Sequence, residues 1–180
     1  LKMLIEMNGG FVNAHAHFDR AYTAQTSDFE KNNVNAHLFE KWELVNDYKK
    51  SATIERYYNH ISEAIYNQIK MGVTAGLTFI DIDPVCEDRA LKAALKAKED
   101  WADKFTLKIA CQTLQGVLDK EPRKWFMENA GFFDVIGGLP KKDLGREAEH
   151  LDTLLLTAKS HNQLVHVHVD QMNSAEEKET

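Results

Sequence analysis

Two pairs of histidines are the residues of this 180-residue chain whose types and spacing could do chemistry. His15 and His17 stand in FVNAHAHFDR, and His166 and His168 stand in QLVHVHVD. Side chains alternate across a β-strand, so the two imidazoles of an H-x-H sequence on a strand point to one face. Imidazoles on one face can hold zinc or a similar divalent ion. The spacing therefore predicts a metal site that includes His15 and His17.

A helix would not serve this purpose, because residues two apart on a helix are separated by about 200° around its axis. The apolar residues Phe11 and Val12, which follow two glycines, favour a strand at the first pair. The alternative interpretation is that these histidines are buried core residues or exposed residues of a strand face. For His166, this alternative remains open from the residues alone.

The rest of the chain alternates between strand-like and helix-like patterns. Apolar residues spaced three and four apart predict a helix from Thr53 to Met71, with Thr53 as its N-cap and Gly72 at its end. Asp83-Pro84 predicts the start of another helix that runs to about Trp101. Other helices are predicted over Glu121–Ala130 and around Leu151–Ala158. Strands are predicted over Leu1–Glu6, Val73–Ile80, Phe105–Cys111, Phe132–Ile136 and Leu164–Val169.

This βα alternation predicts an α/β fold with parallel, buried strands. Such units form either an open doubly wound sheet or a closed eight-stranded barrel, and both carry their chemistry at the carboxyl ends of the strands. The sequence contains no G-x-G-x-x-G between a strand and a helix, which argues against a dinucleotide site. Histidines at predicted strand ends favour the barrel.

Composition narrows the classes of partner. The net charge of -6 argues against nucleic acid and anionic membranes, since both attract basic surfaces. The sequence contains no apolar run long enough to cross a bilayer, so we expect a soluble, cytoplasmic protein. Cys86 and Cys111 lack a C-x-x-C spacing and are expected to be reduced, buried thiols.

The segment GGFVNAHAHFD resembles the first strand of the amidohydrolase superfamily. Four later segments, MGVTAGLTFIDID, LKIACQTLQGVL, VIGGLP and LVHVHVDQMN, are similar in order and spacing to its cytosine deaminase-like branch. The resemblance covers nearly the whole chain. It implies a TIM-like (β/α)8 barrel in which a divalent metal ion activates water for attack on a C–N bond.

The resemblance also implies site residues. His15 and His17 match the first-strand metal ligands and His168 matches the fifth-strand ligand, whereas His166 matches none. The implied ion is divalent, with zinc favoured and iron as the alternative. Asp19 is a candidate catalytic carboxylate that orients a ligand, or equally a residue that caps the strand end.

Two glutamines depart from the family's pattern. Gln171 stands where cytosine deaminases have a glutamate that shuttles protons, and an amide cannot accept and return a proton at neutral pH. We therefore expect no deamination of cytosine itself, and assign Gln171 to the catalytic region as a substrate contact. The family's substrate-binding glutamine aligns without gaps to Leu114, so its neighbour Gln115 is the candidate substrate contact. Gln112 is a poorer match.

Only five of the barrel's eight strands can be counted, so residues 1–180 are expected to form a partial barrel catalytic domain that is truncated after the fifth strand. The function expected is that of a metal-dependent amidohydrolase acting on a small nitrogen heterocycle or cyclic amide. The alternative is a non-catalytic metal-binding or assembly fragment. Unpaired sheet edges and solvent-exposed apolar faces predict a homo-oligomer, or a barrel that is completed by another chain.

Overall fold

A computed structural model describes residues 2–23 and 38–169 of the chain. Within these residues, helices and strands alternate from α3 onwards, as the periodicity predicts. The helices are α1 (Lys2–Met7), α2 (Leu38–Ser51), α3 (Ile54–Lys70), α4 (Arg89–Asp100), α5 (Lys120–Asn129) and α6 (Glu147–His161). The strands are β1 (Phe11–Ala16), β2 (Val73–Asp81), β3 (Thr106–Gln112), β4 (Val135–Gly138) and β5 (Leu164–Val167).

The described strands form one five-stranded sheet in the order β1-β2-β3-β4-β5. Strand β1 pairs with β2 in parallel, and β4 pairs in parallel with both β3 and β5. Each consecutive pair is joined by a connection that contains a helix, the arrangement expected of parallel strands. The predicted α/β class with parallel strands is confirmed.

The chain divides into two compact units, and β3 contributes residues to both. The first unit comprises Leu1–Ile80 and Arg89–Ile109. Its longest helix, α3, begins where the Thr53 hydroxyl accepts a hydrogen bond from the Arg56 amide at 3.1 Å. The helix ends before Gly72, whose φ of +85° suits glycine. The buried face of α3 includes Tyr57, Ile61 and Ile65.

The second unit comprises Asp81–Asp88 and Ala110–Thr180. Helix α6 packs against β4 in this unit. Residues four apart along α6, namely His150, Leu154 and Ala158, are buried. This helix ends at Asn162, which adopts the left-handed conformation with φ +54°.

Three predicted elements are wrong, one in its type and two in their bounds. Residues 2–7 form a helix rather than a strand, because Lys, Met, Leu and Glu are good helix formers. The helix is closed by the Gly10 backbone amide, which donates to the Ile5 backbone oxygen at 2.9 Å. Helix α4 begins at Arg89, not at Pro84. The Asp83 carboxylate accepts from the amides of Val85 and Cys86, which stabilises a turn instead of a helix.

The fourth strand is Val135–Gly138 rather than Phe132–Ile136, because Ala130–Phe132 continues α5 as a 3₁₀ turn. Among the described residues, no helix combines the length and the apolar character needed to cross a membrane.

Candidate metal centre

His15 and His17 lie at the carboxyl end of β1, where a parallel sheet places its chemistry. Their ring centres are 5.4 Å apart and the rings are nearly perpendicular. Two imidazoles bound to one tetrahedral zinc ion at about 2.1 Å would have ring centres about 5 Å apart. His15 is exposed and His17 is partly exposed, so an ion in solution can reach them. The pair therefore fits a shared divalent ion.

Strand β2 orients the two rings. The buried ring of Phe79 lies 4.8 Å from the His15 ring and 5.3 Å from the His17 ring, centre to centre, and is stacked on the latter. The neighbouring Thr78 is also buried, and its hydroxyl accepts a hydrogen bond from the Phe18 amide at 2.8 Å. Phe79 limits the positions of the rings, and Thr78 fixes the backbone directly after His17.

Asp19 is buried in the 3₁₀ turn Phe18–Arg20 that follows β1. Its carboxylate accepts a long hydrogen bond of 3.5 Å from Arg20 Nε. Its backbone oxygen lies 3.2 Å from the hydroxyl of Tyr48 on α2, which can donate to it. Its two sequence interpretations, a carboxylate near the ligands and a residue that caps the strand end, both fit this position.

Tyr48 is a residue that sequence analysis assigned to a short helix but not to the site. Its hydroxyl lies 3.2 Å from His60 Nδ1, and the Arg56 guanidinium lies 5.0 Å from the centre of its ring. Burial raises the pKa of Tyr48 above its ordinary value, and the nearby charge of Asp19 adds to this effect. Burial also lowers the pKa of His60, so both groups are held in their neutral forms. Arg20, Tyr48 and Arg56 line a cavity of about 230 Å³.

In the second unit, His168 directly follows β5. Its backbone amide donates to Gly138 O at 3.0 Å, and its ring Nδ1 lies 3.2 Å from the same oxygen. A carbonyl oxygen can only accept, so Nδ1 carries the proton and Nε2 keeps its lone pair for a ligand. The His166 ring is stacked 6.5 Å from the His168 ring, which agrees with the predicted shared face.

The glutamines lie in different settings. Gln115 is partly exposed in the turn after β3, where its backbone amide donates to the Thr113 hydroxyl at 3.2 Å. Leu114 and Gln112 are both buried, and the backbone oxygen of Gln112 accepts from the Ile82 backbone amide at 2.9 Å. Of these three, Gln115 has the most accessible side chain. Gln171 lies outside the described residues.

The fold is a parallel α/β sheet with histidines at the carboxyl ends of β1 and β5. No family model matches the chain. The structure is similar to that of 5-methylcytosine deaminase from Klebsiella pneumoniae liganded with 5-fluorocytosine, with a TM-score of 0.85 and 25% identity. The match covers 94% of this chain and 41% of the deaminase chain. The same enzyme liganded with phosphonocytosine gives a TM-score of 0.84 and 26% identity, with the same coverage.

Two relatives were found by sequence. An uncharacterized protein of Haemophilus influenzae is 48% identical over 177 residues, which is 96% of this chain and 63% of that protein. The N-isopropylammelide isopropyl amidohydrolase of a Pseudomonas species is 25% identical over 171 residues, which is 92% of this chain and 42% of the enzyme. The chain thus spans about two fifths to three fifths of the length of these relatives. The likenesses confirm the predicted resemblance to the cytosine deaminase-like branch of the amidohydrolase superfamily.

Proposed function

We propose that this chain carries the metal-binding part of an amidohydrolase that acts on a C–N bond, by deamination or amide hydrolysis, of a small nitrogen heterocycle or cyclic amide. The observation that carries the proposal is the His15–His17 pair, whose 5.4 Å ring separation suits two ligands of one ion. The activities of the similar enzymes, a deaminase and an amidohydrolase, support the type of reaction.

His15, His17 and His168 are the proposed metal ligands. Their assignment as one set follows from the family resemblance, and the lone pair on His168 Nε2 agrees with it. Three neutral imidazoles suit zinc, with iron as the alternative. A bound divalent ion would supply Lewis-acid activation of water and polarisation of the substrate.

The remaining residues have supporting roles in this proposal. Gln115 and Gln171 would contact the substrate, since amide groups both donate to and accept from the ring nitrogens and carbonyls of a heterocycle. Asp19 would orient the histidine-bearing end of β1 from its buried position. Because Gln171 cannot transfer protons, we propose a substrate other than cytosine.

The alternative function is a non-catalytic metal-binding or assembly fragment. The replacement of the family's glutamate by Gln171 favours this alternative, because it removes the acid and base on which deamination depends. Assembly is supported by large apolar side chains that are exposed on both edge strands: Phe11 and Val12 on β1, and Leu164 on β5. We propose a homo-oligomer or a complex with a completing chain, in the cytoplasm.

The test combines metal analysis with turnover. The zinc-loaded chain is incubated with a panel of nitrogen heterocycles and cyclic amides. Mass spectrometry detects the replacement of an amino group by oxygen with release of ammonia, or the gain of water on ring opening, with His15→Ala as the matched control. Turnover that requires His15 supports the hydrolase. Stoichiometric metal without turnover supports the non-catalytic metal-binding alternative. A chain that binds no metal contradicts the hydrolase and the metal-binding fragment, and leaves the assembly fragment.

A further inference from the structure

A buried carboxylate and a buried imidazole lie together in the second unit. Asp143 ends the 3₁₀ turn Pro140–Asp143, and His150 lies in the first turns of α6. His150 Nδ1 is 2.6 Å from Asp143 Oδ2, and the side chains are 0% and 6% exposed, respectively. Such a short contact between buried groups is a strong, charge-assisted hydrogen bond.

The neighbours of His150 determine where its proton lies. The Leu139 backbone amide, which can only donate, points at His150 Nε2 at 3.3 Å. Nε2 is therefore the acceptor, and Nδ1 carries the proton that is donated to Asp143. Both ring nitrogens are engaged and the ring is closed off from solvent, so His150 has no free atom with which to act as an acid or base on a substrate.

Asp143 is held in its charged form. Burial alone would raise its pKa, but hydrogen bonds from His150 and from the Val117 amide, the latter at 2.8 Å, outweigh burial and hold the pKa below its ordinary value. The Val117 amide lies at the end of the turn that carries Gln115. Asp143 therefore ties this turn to α6 through His150.

The Leu139 amide belongs to the same peptide group as the Gly138 carbonyl. That carbonyl accepts from the backbone amide of His168 at 3.0 Å and lies 3.2 Å from His168 Nδ1. One peptide group thus connects two imidazoles. The hydrogen-bond chain runs from the Asp143 carboxylate to the His150 ring, across the Gly138–Leu139 peptide, to the His168 ring.

The backbone is packed tightly around this chain. A Cβ added at Gly138 would lie 3.0 Å from His150 Nε2 and would overlap Leu154. A Cβ added at Gly116, whose φ is +78°, would lie 2.5 Å from the Asp143 carboxylate. Two glycines therefore allow the backbone to approach the two buried side chains closely.

We propose that Asp143 and His150 are positioning residues that act through the Gly138–Leu139 peptide to fix His168 as the Nδ1–H tautomer, leaving Nε2 for the metal ion. This inference rests on the proposed role of His168 as a ligand. The negative charge of Asp143 polarises the chain of hydrogen bonds in one direction, and each polarised bond strengthens the next. A stronger hydrogen bond to Nδ1–H makes Nε2 a better donor to a metal ion.

The experiment measures the tautomers and the metal affinity separately. In the metal-free protein with ¹⁵N-labelled histidine, long-range ¹H–¹⁵N correlation spectra at pH 8 report which ring nitrogen carries the proton. We expect the Nδ1–H form for both His150 and His168. The Nε2–H form as the main species of either ring would overturn the proposal, whether or not any variant folds.

Zinc titration then compares matched variants. Asp143→Leu removes the acceptor of the His150 proton. Loss of an outer hydrogen bond to a ligand costs about 10- to 100-fold in affinity, and Asp143→Leu should weaken zinc binding by the lower figure, because His150 and one peptide group separate Asp143 from His168. Asp143→Asn keeps an oxygen acceptor but loses the negative charge, so it should retain the His168 tautomer and bind zinc with an affinity between those of the unmodified chain and Asp143→Leu. Thr157→Val removes a buried hydrogen bond to Thr153 O elsewhere on α6 and should leave zinc affinity unchanged.

His168→Ala separates this inference from the function on which it depends. If His168→Ala binds zinc as tightly as the unmodified chain, the proposed role of His168 is wrong. If His168→Ala weakens zinc binding whereas a folded Asp143→Leu variant does not, only the positioning role of Asp143 and His150 is wrong.

Discussion

Replacement of His17 by alanine tests the metal site most directly. Structural zinc sites with four ligands bind with about 10–16 kcal/mol, so one ligand accounts for roughly 2.5–4 kcal/mol. At 1.4 kcal/mol per tenfold change, His17→Ala should weaken zinc binding by about 60- to 700-fold. The His17 ring also stacks on Phe79, so alanine removes packing as well as a ligand. The two effects need separate variants.

His17→Phe keeps an aromatic ring against Phe79 but has no nitrogen to bind the metal. We expect His17→Phe to lose as much zinc affinity as His17→Ala while melting at a temperature closer to that of the unmodified chain. His161→Ala removes an exposed histidine at the end of α6 and serves as the control for non-specific binding. Zinc titration with a competing chelator measures the affinities. Unchanged zinc affinity in both His17 variants would refute the metal-site argument.

Three further predictions concern stability and assembly. Thr78→Val leaves the buried Phe18 amide without its acceptor, so thermal melts should show a loss of about 1–3 kcal/mol, which Thr78→Ser should largely restore. The pKa of Asp143 lies below its ordinary value of 3.8, so the stability that Asp143 contributes is present above that pH and lost as the pH falls through the folded-state pKa. Asp143→Asn should therefore show a shallower fall of stability in acid-unfolding curves than the unmodified chain. Light scattering should give a mass above 20.6 kDa, and a monodisperse, cooperatively melting monomer would contradict the predicted assembly.

Much of the fold is predictable because its signals are local. The buried spacing along α3, the Thr53 cap and Gly72 all lie within one stretch of sequence, and the structure contains that helix at Ile54–Lys70. The predicted start of α4 at Pro84 was wrong, because an aspartate such as Asp83 can accept from nearby amides either in a turn or at the start of a helix. The left-handed conformation of Glu87 before α4, at φ +53°, leaves no mark in the sequence.

The candidate site also contains some residues that local spacing predicts and others that it does not. The H-x-H spacing identifies His15 and His17 because strand geometry alone places their rings together. Tyr48 contacts Asp19 from a helix 29 residues away along the chain, and His60 contacts Tyr48 from the next helix, so no spacing rule connects these residues. His150 stands four residues before the buried Leu154, on the apolar face of α6. This spacing could have identified His150 as a buried residue.

The choice between His166 and His168 shows what residue patterns omit. Both histidines belong to one H-x-H, and both rings share a face of the chain. In the structure, His166 lies within β5 opposite Gly137, whereas His168 follows the strand and places its amide and its ring Nδ1 against one carbonyl. That carbonyl belongs to a peptide whose amide is bound by a buried imidazole. A main-chain carbonyl therefore sets the tautomer of His168, and because every residue has a carbonyl, residue types alone could not reveal this one.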